Sequence, residues 1–191
     1  MGRKNSGARS TIHSLCEMDN IDEKCLYEKS KMILGIYRKV CWSAIGSVDQ
    51  VAEEMCYYCG SDLDRALIYL EEFAPDQDRD RFESRIKTLF ETRWMIELVE
   101  NAMVKVYDFP EYGKLYHEIL SKGYLSKFRY TESEMLEVLN MERSRYYDRK
   151  KEAITVFGLS LWGSALPKLK SFLEDEVYEE SVRQQMEIIN K

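Results

Sequence analysis

Across residues 76–109, DQDRDRFESRIKTLFETRWMIELVENAMVKVYDF, apolar side chains fall at Phe82, Ile86, Leu89, Phe90, Ile96, Val99, Met103 and Val106. Steps of three and four residues lay them along one stripe of an α-helix. Strand-like alternation of apolar and polar residues is absent from the whole chain, and three prolines in 191 residues leave room for long helices. The expected fold class is therefore all-α, a multi-helix N-terminal region followed by a C-terminal helix-turn-helix, with about seven helices in all.

The same spacing, at Ile21, Leu26, Ile33, Ile36, Tyr37, Val40 and Cys41, predicts a helix over 21–44, with Asp19 or Asn20 as its cap. Val48–Tyr58 and the stretch from Ser61 to Phe73 read as two further helices, stopped by Gly60 and Pro75. Pro110 stands where another helix begins, with Asp108 as its cap, and Gly123 ends it. Residues 1–18 are polar and are expected to form a disordered basic arm. The expected division is 1–18 arm, 19–122 helical domain for dimerisation or partner contact, 124–166 helix-turn-helix and 167–191 acidic helix or tail.

Composition narrows the function classes. No run of 18 apolar residues and no signal-peptide pattern is present, so neither a membrane span nor export is expected. Five scattered cysteines argue against a disulfide framework and for a reducing compartment such as the cytoplasm. Cys56 and Cys59 form a single C-x-x-C without a second knuckle, which fits buried thiols better than zinc. No phosphate loop, metalloprotease motif or nucleophile elbow occurs, and the two histidines lie far apart; no enzyme activity and no cofactor are expected.

From Tyr130 the sequence becomes informative. Thr131 with Glu134 three residues on is a capping box, and a helix of two turns follows. Asn140 then suits the left-handed conformation of a sharp turn, and a second helix starts near Glu142 or Arg143. Met135, Leu136, Leu139, Met141 and Tyr146 are expected to lock the two helices together.

On the second helix, Tyr146, Lys150, Ala153, Ile154 and Phe157 share one face, turned to the core. The opposite face carries Glu142, Arg143, Ser144, Tyr147, Asp148 and Lys151, with Arg145 and Arg149 flanking it. Guanidinium forks and hydroxyls suit phosphates and guanine edges. Residues 121–170 carry ten Lys or Arg against six Asp or Glu, inside a chain of net charge −6. A basic module in an acidic chain fits a DNA reader with a separate helper domain. The same cations also fit an ordinary solvated helix face.

The stretch YTESEMLEVLNMERSRYYDRKKEAITVFGLSLWG, Tyr130 to Gly163, resembles the C-terminal signature of phage-encoded transcriptional regulators of Gram-positive bacteria. These are the ArpU- and RinA-like activators of late genes, whose helix-turn-helix is similar to region four of sigma factors. The resemblance rests on the leucine–Asn turn, the RSRYYDRKKEAI helix and the LWG after it, and it covers none of residues 1–120. It implies a sequence-specific regulator that binds double-stranded DNA through Arg143, Ser144, Arg145, Tyr147, Arg149 and Lys151. RNA polymerase and a second copy of the chain are its expected partners. Glu142, where such motifs often carry Ser, and Asp148, where a basic residue is common, depart from the pattern. The alternative is a helical adaptor or phage assembly protein in which the helix-turn-helix is a packing motif and the Phe82–Val106 stripe is the partner surface.

Overall fold

The computed structural model describes residues 7–43, 93–168 and 171. The helices expected over 48–58 and 61–73, the first half of the 76–109 stripe, Cys56 and Cys59, and the acidic tail from Glu174 lie outside the described residues. Within them the fold is all-α, without a strand. No described helix is long and apolar enough to cross a membrane.

The described residues open with a helix, which corrects the expected disordered arm over residues 7–18. Helix α1 spans Gly7–Met18. Ala8, Ile12 and Cys16, spaced by four, are its buried residues, and burying that line against the core offsets the entropy of ordering a polar segment. Desolvation in this site pushes the Cys16 thiol up to about 11, with the nearby acids Glu23, Asp19 and Asp22 adding to it. That makes Cys16 an inert packing residue.

Helix α2 spans Glu23–Ser43. Its first turn is capped by Asp22, whose Oδ1 accepts from the Cys25 N–H at 2.5 Å, rather than by Asp19 or Asn20. Leu26, Ser30, Ile33, Leu34, Ile36 and Tyr37 form its buried face.

Helix α3 spans Arg93–Tyr107 and buries Met95, Leu98, Val99, Ala102, Met103 and Val106. This described part of the apolar stripe is thus used by the chain's own core. Helix α4, Gly113–Leu120, starts three residues later than Pro110 suggests and is not capped by Asp108. Its N-cap is Tyr112, left-handed at φ 58. A wider π turn, Ser121–Leu125, then carries the chain through Gly123, so the glycine does not mark the end of the helix itself.

Helices α5, Glu132–Val138, and α6, Arg143–Ser160, complete the described set before a second π turn at Leu161–Ala165. Six consecutive residues of α6, Ala153 to Gly158, are buried, so this half of the helix is enclosed on all sides. Around it pack α1, α2, α3 and α4. One core cluster takes Ile12 and Cys16, the buried apolar residues of α2 and α3, Tyr116, and Ala153, Ile154, Val156 and Phe157 together, drawing on both sides of residue 123. Trp162 is half-buried against that same core.

The crossing of α2 and α6 is close because position 158 has no side chain. A Cβ there would lie against Ser30 Oγ and 2.8 Å from Leu26 Cδ1, too near for ordinary contact. Gly158→Ala is therefore expected to destabilise the protein by about 1–3 kcal/mol despite alanine's better helix propensity. The check is the urea midpoint; a midpoint equal to or above that of the wild type contradicts this packing.

Candidate nucleic-acid interface

The unit that presents the predicted contact residues is built by local chemistry. Thr131 caps α5: its hydroxyl accepts from the Glu134 N–H at 3.3 Å, and Glu134 Oε2 accepts from the Thr131 N–H at 2.7 Å. Both halves of the capping box are closed. The bonds Glu134 accepts from the backbone and hydroxyl of Thr131 hold its carboxyl below the usual carboxylate range.

Helix α5 ends at a left-handed Asn140, φ 47. The Met141 N–H donates to Leu136 O at 3.0 Å and the Asn140 N–H to Glu137 O at 3.1 Å, the paired closure of a Schellman turn. The turn drives Met141 inward beside Leu136 and Leu139, onto a small core of Ile119, Met135 and Tyr146. All five residues predicted to lock the two helices are in that cluster.

The same turn occurs a second time. After α1, Asn20 is left-handed at φ 52, Ile21 N–H donates to Cys16 O at 2.8 Å, and Asn20 N–H donates to Glu17 O at 3.2 Å. In both places the left-handed Asn lies three residues before the next helix. The first copy delivers Glu23 and the second delivers Arg143. Backbone form alone thus does not single out residues 131–160; the side chains delivered by the turn do.

Arg143, Ser144, Arg145, Tyr147 and Lys151 are exposed, as the helical register requires. Arg143, Tyr147 and Lys151, at steps of four, run about 12 Å along α6. Glu132 of α5 reaches across to two of them. Its Oε1 lies 2.6 Å from Arg143 Nε, and its Oε2 accepts from the Tyr147 hydroxyl at 2.7 Å. Arg143 is still 73% exposed, so the pair is screened and worth at most about 1 kcal/mol.

Arg149 corrects the sequence reading. It was expected to flank the outward face; it is 9% exposed and turned into the body. Its guanidinium Cζ lies 3.9 Å from the centroid of the Tyr112 ring, and its Nη1 pairs with Glu152. Tyr116 of α4 donates its hydroxyl to Glu152 Oε2 at 2.8 Å. Burial, together with that bond to Glu152, holds the Tyr116 phenol well above its ordinary value, so it stays a donor. The network ties α6 to α4, and the left-handed Tyr112 that precedes α4 stacks its ring over the guanidinium. Arg149 is a structural cation.

A second tether, unforeseen in the sequence, fixes the approach to α5. Arg38 of α2 donates from Nη1 to Gly123 O at 3.2 Å and from Nη2 to Phe128 O at 3.3 Å. The fork satisfies two carbonyls of the connector and holds it against α2.

Among the described residues no group of three or more His, Cys, Asp or Glu gathers as a metal site would require. Comparison with models of protein families, with curated proteins and with solved structures returned no match.

The two arginines should separate cleanly. Arg149→Ala is expected to lower stability by about 2–3 kcal/mol, because Glu152 is left mostly buried without its cation. Arg143→Ala should stay within about 0.5 kcal/mol of wild type. Equal effects in denaturant titrations contradict the placement of Arg149. At the turn, Asn140→Gly is expected to be nearly neutral and Asn140→Ala to cost about 1 kcal/mol.

Proposed function

We propose that this protein is a sequence-specific, double-stranded DNA-binding transcriptional regulator of phage or prophage origin, acting without catalysis and without a cofactor. One observation carries the reading: Arg143, Ser144, Arg145, Tyr147 and Lys151 stand exposed on the first turns of a helix whose other half is buried. In a helix-turn-helix the second helix offers its N-terminal side chains to the major groove. The residues at hand match that task. Arg143 and Arg145 supply forks for guanine edges or phosphates, and Ser144, Tyr147 and Lys151 supply phosphate contacts. The resemblance of Tyr130–Gly163 to phage late-gene activators supports the same reading.

In this account the free protein keeps Arg143 and Tyr147 oriented through Glu132, and a DNA phosphate replaces that carboxylate. Glu142 and Asp148 border the face and disfavour non-specific phosphate binding, which leaves more of the affinity to base contacts. Two copies reading paired half-sites, and contact with RNA polymerase in a bacterial cytoplasm, complete the proposed mode of action. The adaptor reading is less well supported, since the described part of the stripe it relies on, with Val99, Met103 and Val106, lies in the core.

Fluorescence anisotropy with promoter duplexes across a salt series tests the reading. Affinity should fall steeply with salt. Arg143→Ala and Arg145→Ala should each cost about 1–3 kcal/mol on the preferred duplex and relax its sequence preference, while Lys151→Ala weakens all duplexes alike. Equally weak binding by wild type and variants at every salt concentration refutes it.

A further inference from the structure

Outside the turn and the first residues of α6, ammonium groups from two helices meet over one tyrosine ring, with a third close enough to feel their charge. Lys31 of α2 and Lys151 of α6 each place Nζ 5.8 Å from the centroid of the same ring, Tyr27. Lys150 places Nζ 5.4 Å from the Tyr124 centroid and 5.6 Å from that of Tyr146. Lys31 and Lys151 are exposed and Lys150 is half-buried.

Among the described residues, none of the three is within ion-pair distance of a carboxylate. The carboxylate that acts on Lys150, Glu132, is engaged with Arg143 and Tyr147. Like charges held together by aromatic faces repel one another, and an anion relieves that repulsion.

We propose that Lys31, Lys150 and Lys151, with Tyr27 and Tyr124, form a phosphate-holding site through which α2 grips the DNA backbone beside the groove entered by α6. The inference rests on the DNA-binding reading and extends it to a helix outside the turn unit. The placement suits the ligand. Lys151 ends the outward line that starts at Arg143, and Lys31 of α2 shares the Tyr27 ring with it. Tyrosine hydroxyls are donors to phosphate oxygens as well as platforms for ammonium groups. Burial, then the neighbouring charge of Lys31, hold the Lys150 ammonium below its ordinary value, with Glu132 opposing; this agrees with cations crowded before their anion arrives.

The test uses the full chain and a mixed-sequence DNA duplex, with affinity measured by anisotropy at several salt concentrations. The proteins are wild type, Lys31→Ala, Lys31→Glu and Arg143→Ala. Lys31 is an exposed helix residue, so both of its variants should melt as wild type does. Lys31→Ala should weaken duplex binding about 3- to 10-fold at low salt and reduce the salt slope by about one, with Lys31→Glu weaker still. If Arg143→Ala weakens binding while both Lys31 variants keep wild-type affinity and slope, this site is wrong and the DNA-reading role of α6 stands. If wild type binds no duplex at the lowest salt, both fail. Tighter binding of single strands than of duplex, lost on Tyr27→Ala but not on Lys31→Glu, also overturns it in favour of base stacking.

Discussion

The burial of Ala153 to Gly158 is the constraint on which the rest of this structure depends. Half of α6 is the centre of the core, and the other half buries only Tyr146 and Arg149 and exposes the rest of its surface. A helix is stiff over a few turns, so fixing one half fixes the direction of the other. The glycine at 158 sets the distance to α2, and the Arg149–Glu152–Tyr116 network sets the rotation against α4. What leaves the body is then determined by the helical period alone: Arg143, Tyr147 and Lys151 on one line, Ser144 and Arg145 beside it.

The repeated Schellman turn shows how the same backbone serves different ends. At Asn20 it returns α1 onto the core and opens α2 with Asp22 and Glu23, acids that complement the positive end of a helix. At Asn140 it opens α6 with Arg143, a cation at that same positive end and so locally unfavourable. Glu132 compensates from the neighbouring helix and also draws in Tyr147. A local rule broken at a helix terminus, with a carboxylate from the neighbouring helix compensating for it, is the pattern expected where function outweighs stability.

The helical class, the capping box and the left-handed Asn140 were legible because each depends on neighbours within a few residues, and the locking cluster because its two helices are joined by a short turn. Register also placed five of the six expected contact residues outward. The failures have physical causes. The polar composition of residues 7–18 masked the four-residue spacing of Ala8, Ile12 and Cys16, a signal that was present. Asn20, followed two residues later by Asp22, carries the same spacing as Asn140 and Glu142, and could have revealed the first turn. Arg149 was misplaced because Tyr112 and Tyr116, far away in sequence, complete its enclosure; the i, i+3 step to Glu152 was the local signal that was present. The fork of Arg38 on Gly123 and Phe128, and the meeting of Lys31 with Lys151 over Tyr27, are likewise tertiary and invisible to local periodicity.

Backbone amide hydrogen exchange of the full chain, with and without a DNA duplex, tests the central claim most directly: one half of α6 is anchored so that the other half can meet DNA. Amides of Ala153 to Phe157 should exchange slowly in both states, and the duplex should add protection at Arg143 to Tyr147. Rapid exchange at Ala153 to Phe157 in the free protein, or a duplex that protects nothing at the start of α6, would contradict the account.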